Sequence, residues 1–336
     1  MNLRKGLRLR SSLIILSLLS LGLGEQLCAR QETIYMSVLN SRRNRLNALD
    51  NPIVGLFVST DAGASWKHEG WEYIRTFYTE GGADGAIWSA CGNGVLRSTD
   101  SGRTWRITTG WEITEVLKVR VDPGNPSVAY AASAYGIFKT TDSGETWKEQ
   151  NTGFLKPFTS DIVIDWSKTS RLFAASEDGV YRSEDGGGRW ALAGVKGKGV
   201  RTVVQDPKDA KILWLGTEDD GVFVSTDGGS TWKASNEGLT YLTVYAIAID
   251  PSNSNILYVG THGGGVYRST DRGRSWQGRS DGLQNLVVHS LVVLPSTPTI
   301  ILTGTLNGGL YRSTDGGRRW EFNSQEDGQV WGLSVR

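Results

Sequence analysis

Seven times along the chain an aspartate stands among hydroxyl residues, two positions before a glycine and five before a tryptophan. The copies read STDAGASW (59–66), STDSGRTW (98–105), TTDSGETW (140–147), SEDGGGRW (183–190), STDGGSTW (225–232), STDRGRSW (269–276) and STDGGRRW (313–320). A carboxylate beside serine, threonine and arginine has the makings of a general acid or a nucleophile. A second group differs from copy to copy. Aligned on their apolar residues, the segments IRTFYTE, VLKVRVD, SDIVIDW, VRTVVQD, VYAIAID, VHSLVVL and VWGLSVR carry Arg75, Leu117, Asp161, Arg201, Tyr245, His289 and Trp331 at their second position. Arginines for a carboxylate, a tyrosine, an aspartate and aromatic plates would suit hydrolysis of a sugar or recognition of one.

What must position these residues is a repeat. The motif tryptophans at 66, 105, 147, 190, 232, 276 and 320 give a period of 39 to 44 residues. Within residues 242–276, LTVYAIAID alternates as a strand, PSNSN turns, ILYVGT is a second strand, VYRST a third, and the motif tryptophan opens a fourth. Four short antiparallel strands per repeat of this length make one blade of a β-propeller. The expected fold is all-β: seven four-stranded antiparallel blades. TIYMSVL (33–39) matches a second strand, and QVWGLSVR near the C-terminus matches a first, so the last strand is expected to complete the first blade.

The repetition separates the two groups. A feature present in every blade would require seven equivalent catalytic sites, so Asp61, Asp100, Asp142, Asp185, Asp227, Asp271 and Asp315 read as structural. Each carboxylate can accept turn N–H groups, and the glycine tolerates positive φ. Arg189 and Arg319 replace the hydroxyl before the tryptophan, so those two turns are expected to be more loosely bonded. The varied second positions lie where a blade's innermost strand starts, at the mouth of the central channel. That mouth shares a face with the inter-blade connections and the second-to-third-strand loops, opposite the aspartate turns.

The S-x-D-x-G-x-[ST]-W motif resembles the Asp-box, or BNR repeat, of sialidases, xyloglucan endoglucanases, sortilin-type receptors and the photosystem II assembly factor. The resemblance spans residues 33–336. It implies a structural motif at the turn between third and fourth strands. Sialidase chemistry would assign Asp161, Tyr245, Arg75 and Arg201 as catalytic, but the family's Arg-Ile-Pro signature is absent. The xyloglucanase arrangement needs a cleft between two propellers, and this chain has one ring. A single seven-bladed ring is most similar to the assembly factor, which implies a scaffold role with arginines on the partner surface.

Other features bound the function. Arg4, Lys5, Arg8 and Arg10 precede the apolar run SSLIILSLLSLGLG, the pattern of a secretory signal. Residues 1–29 are expected to be cleaved and 30–336 to form the propeller, with export to the periplasm or outside the cell. Leu27 and Glu25 disfavour a lipid anchor at Cys28. Removing those four basic residues and Glu25 from 36 basic and 35 acidic side chains leaves a net charge of −2, which does not favour nucleic acid. His68, His262 and His289 lack ligand spacing, so no metal or other cofactor is expected. The insertion at 40–54 adds Arg42, Arg43 and Arg45 as partner-binding candidates, and SEDG (176–179) and TEDDG (217–221) add acids. Trp71, Trp111, Phe154, Phe158 and Tyr241 lie beside inter-blade connections. The reading is an exported, monomeric, non-catalytic ring that binds a protein or glycan partner on its loop face. The alternative is a glycoside hydrolase acting at the channel mouth.

Overall fold

The second strands of the blades read as nearly unbroken small or apolar runs: IWSAC, AYAAS, LFAAS, LWLGT, LYVGT and ILTGT. Every residue in them is buried, because both faces of a blade pack against its neighbours. The fourth strands are short and exposed at the rim. The computed structural model describes residues 32–41, 54–72 and 74–336, so the expectations for segment 1–29 and for Arg42, Arg43 and Arg45 lie outside the described residues.

Seven four-stranded antiparallel sheets form the ring. Blade 1 joins β28 (Gly328–Val335) to β1 (Ile34–Ser41), β2 (Gly55–Ser59) and β3 (Lys67–Glu69). Blades 2 to 7 each take four consecutive strands, over 76–107, 116–149, 159–194, 200–234, 244–278 and 288–324. The C-terminal strand therefore completes the first blade, as expected, pairing Ile34 with Val335 and Met36 with Leu333. Closure removes the open edges that would otherwise template aggregation.

The aspartate turns lock this geometry. In the first, Asp61 Oδ1 accepts from Ser59 Oγ (2.7 Å) and the Ser65 N–H (2.9 Å), and Oδ2 accepts from Ser65 Oγ (2.6 Å). The same three bonds recur at Asp100, Asp142, Asp227 and Asp271. At Asp185 and Asp315 the hydroxyl bond to Oδ2 is missing, because Arg189 and Arg319 bring only a backbone N–H. The tryptophans join blades: Trp190, Trp276 and Trp320 donate their indole N–H to Gln150, Ser235 and Arg279 carbonyls one blade back. Gly153 (φ +104°) lies so close to this join that a Cβ would strike the Trp190 carbonyl oxygen. Trp105 differs, donating to Gly102 within its own turn.

Candidate functional site

The seven innermost strands are β4 (Thr76–Gly81), β8 (Val116–Val121), β12 (Thr159–Ile164), β16 (Val200–Gln205), β20 (Val244–Ile249), β24 (Val288–Val293) and β28. β4, β8, β12, β16, β20 and β24 each break register with their neighbour between the first and third ladder residues, and β28 does so between Val330 and Gly332, with a second irregularity nearer its start. Such a bulge leaves one residue unpaired and re-aims its side chain. The bulged residues are Phe77, Leu117, Ser160, Arg201, Tyr245, His289 and Trp331. All seven line one cavity of about 490 Å³ at the starts of these strands, together with Arg75, Glu115, Ala134 and Phe158. That volume lies within the roughly 300–1,000 Å³ typical of small-molecule sites.

This register corrects the alignment at two blades. Arg75 precedes β4, and the bulged position there is Phe77; in β12 it is Ser160, and Asp161 is the next residue. Apolar residues misled the alignment because Phe77, an aromatic at the bulge, imitates a core position. A usable signal was present at the far end of the strands. Asp122, Asp165, Asp206 and Asp250 each accept a backbone N–H two residues on, at 2.8 Å, and so mark the first-to-second-strand turn. Counting back from Asp165 places Ser160 in line with Leu117, Arg201 and Tyr245. Arg75 nevertheless lines the mouth cavity, so Arg75, Arg201, Tyr245, His289 and Trp331 share it, while Asp161 lies outside it.

An aromatic arc runs along one side of the mouth. Tyr245 stacks on His289 (4.8 Å, 18° between planes), His289 on Trp331 (4.4 Å), and Trp331 meets Phe77 edge to face at 5.8 Å. His262 approaches Tyr245 at 5.8 Å from the second-to-third-strand turn of blade 6. Burial lowers the His289 pKa to about 4, with a further push from His262, so the ring is neutral near pH 7. Burial raises the Tyr245 hydroxyl, partly offset by the Arg201 charge. Arg201 donates to Glu218 of the TEDDG loop and lies 5.8 Å from the Phe158 ring. Two buried nitrogens, Arg201 Nε and His289 Nε2, have no hydrogen-bond partner. Around the mouth Trp111 is 91% exposed, and Trp71 and Tyr241 are also exposed. Phe154 is instead packed, 4.5 Å from Tyr181 and 5.2 Å from Trp190.

Deeper in the channel, a second cavity of about 610 Å³ shares Tyr245, His289 and Trp331 with the mouth. Asp161 belongs here and is only 3% exposed. Its Oδ2 accepts from Thr202 Oγ1 (2.9 Å) and the Val203 N–H, its Oδ1 from the Ile162 N–H (2.9 Å), and Lys118 Nζ lies 3.5 Å away. Glu80 is held by Arg120 at 2.8 Å, and Arg120 also donates to the Tyr78 hydroxyl at 2.7 Å. Sequence reasoning missed this cluster, because Tyr78, Glu80, Lys118 and Arg120 read there as the polar positions of ordinary alternating strands. Among the described residues, no three His, Cys, Asp or Glu side chains converge as a metal site, and no helix is long and apolar enough to cross a membrane.

Residues 220–331 match the family described as Sortilin-Vps10, "Sortilin, neurotensin receptor 3". No curated protein matches the sequence. Several solved structures share the fold. The GH74 xyloglucanase from Xanthomonas campestris superimposes with a TM-score of 0.60 at 18% identity, covering 74% of this chain and 46% of that one. The GH74 enzyme of Niastella koreensis gives 0.69 at 14%, covering 91% and 52%. YCF48 bound to D1 peptide gives 0.56 at 16%, covering 80% of this chain and 99% of that one. The extracellular domain of BT4673 from B. thetaiotaomicron gives 0.63 at 15%, covering 77% and 36%. The chain thus spans about half the length of the two GH74 enzymes, and at these identities the likeness establishes the fold.

Proposed function

From a seven-bladed Asp-box propeller whose solved neighbours include both GH74 enzymes and a peptide-bound ring, we propose an exported, non-catalytic binding module. It engages a protein or glycan partner through the channel mouth on the loop face, in a scaffold or assembly role. The observation that carries this reading is the bulge in every innermost strand, which turns seven unlike side chains into one cavity. Its aromatic edges, Arg75 and unpartnered buried nitrogens suit a ligand that brings both apolar surface and hydrogen-bond acceptors.

The hydrolase alternative fares less well on the same residues. A glycosidase needs two carboxyl groups about 5–5.5 or 6.5–9.5 Å apart across the bond. Among the described residues, Glu115 is the one carboxylate lining the mouth cavity. Asp161 lines the deeper cavity and not the mouth, and Glu80 there is bound to Arg120. Burial makes the Tyr245 hydroxyl a weaker nucleophile, not a stronger one.

The test pairs capture with turnover. Immobilised protein is exposed to envelope extract and to a glycan array, alongside Arg75→Ala, Arg201→Ala and Trp331→Ala variants checked for intact folding. One partner retained by the wild type and lost about tenfold or more in the variants is the expected result. Hydrolysis of a fluorogenic sialoside or of xyloglucan, abolished by Asp161→Asn, would overturn the reading.

A further inference from the structure

Away from the mouth, the channel wall formed by blades 2 to 4 holds an amine in an unusual setting. Lys118 is partly buried, with 18% of its side chain exposed, and it lines the 610 Å³ cavity. Its ammonium sits 3.7 Å from the centre of the Tyr78 ring. Its nearest carboxylate oxygen, on Asp161, is 3.5 Å away, beyond the 2.7–3.2 Å of a good N–H···O bond. Arg120, two residues along the same strand, places a second positive charge beside it. The charged groups facing Lys118 are Glu80 from β4, Arg120 from β8 and Asp161 from β12, with the Tyr78 phenol below. An under-bonded ammonium next to another cation, in a site a small molecule can enter, is an activated lysine. On the other side of the ring the cavity wall is apolar, built from Ala248, Ile249, Leu291 and Val293.

We propose that Lys118 is a carbonyl-reactive amine that condenses with a small apolar aldehyde or ketone entering the channel. The ammonium gives a proton to Asp161, and the freed lone pair attacks the carbonyl carbon. The carbonyl π pair moves to oxygen, which takes a proton from the attacking nitrogen to give a neutral carbinolamine. The proton held by Asp161 then leaves with the hydroxyl group as water, and the nitrogen lone pair closes a protonated imine. One ammonium and one carbonyl become one iminium and one water, with charge conserved and no oxidant or reductant required. The iminium keeps the contacts of the ammonium, the Asp161 carboxylate and the Tyr78 ring face, while the apolar wall receives the hydrocarbon part. This site is independent of partner binding at the mouth.

Burial is the main reason the Lys118 pKa falls, to about 8, with Arg120 pushing the same way and Asp161 and Glu80 opposing. Its amine fraction therefore grows as pH rises through about 8, whereas an ordinary lysine needs about 10.4.

The experiment incubates the folded protein with benzaldehyde and sodium cyanoborohydride, then maps benzylated lysines by mass spectrometry from pH 6 to 10. At pH 7 Lys118 should label on the order of tenfold faster than Lys67, whose side chain is 79% exposed. Its rate should level off just above pH 8. Lys118→Arg should remove the fast phase, and Asp161→Asn should slow it. Labelling of Lys118 no faster than Lys67, or a fast phase that survives in Lys118→Arg, would overturn the proposal. The wild-type map and pH profile decide the matter even if a variant does not fold.

Discussion

The motif aspartates are exposed or half-buried, yet six of the seven accept three or more hydrogen bonds, and those bonds favour the charged form. Side-chain and backbone donation by the residue before the tryptophan lowers Asp61, Asp100, Asp142 and Asp271 to about 2 from 3.8. Because the folded pKa lies below the unfolded one, the linked stability is fully present above about pH 4 and lost as pH falls toward 2. Thermal melts from pH 5 to pH 2 should show Tm falling over this window, and Asp100→Asn should flatten the fall. Asp185 and Asp315 offer the converse test. Arg319→Thr restores the missing hydroxyl bond to Asp315 and should stabilise the fold by about 1 kcal/mol or less. An unchanged denaturation midpoint would show that the turn gains nothing from that bond. These roles were legible in the sequence, because the donors stand within four residues of their acceptor. The partners of Asp161 were not: Thr202 is 41 positions away.

At the scale of the strand, two devices shape the ring. The first is the tryptophan that opens each fourth strand. Trp190 is 2% exposed, rests on Phe154 and donates to Gln150 one blade back. Trp190→Ala should cost about 3–5 kcal/mol in chemical denaturation, the range for deleting a large buried ring. Trp190→Phe, which keeps a ring but loses the indole donor, should cost about 1–3 kcal/mol by leaving the Gln150 carbonyl unpaired. Equal losses in the two variants would mean that the hydrogen bond, and not the ring, joins the blades. The second device is the bulge, which the sequence conceals. It changes no residue type and shifts the pairing by one, so Ser160 and Phe77 hold the bulge positions to which the alignment assigned Asp161 and Arg75, although Arg75 still lines the mouth. The turn aspartates carried the register, yet an alignment led by apolar residues passes over them.

For the whole molecule, stability depends on the chain closing on itself. β28 supplies the innermost strand of blade 1, and its loss would leave the inner edge of β1 unpaired and the channel wall incomplete. Removing residues 328–336 should abolish cooperative unfolding and drive aggregation, read by near-ultraviolet circular dichroism and size exclusion. A monomer with an unchanged Tm would show that closure is dispensable. The sequence by itself determined the number of blades, the strand order, the closing strand and the chemistry of the aspartate turns. The strands and turns are written in spacings shorter than one repeat, where local turn chemistry and alternating burial leave a direct mark, and the count of repeats with the incomplete first one gives the blades and the closing strand. Only the tertiary structure decided which side chains meet at the mouth, and that Asp161 is held by Thr202 and Glu80 by Arg120. Those outcomes depend on contacts between blades about 40 residues apart and on a bulge that moves a side chain without altering the pattern around it.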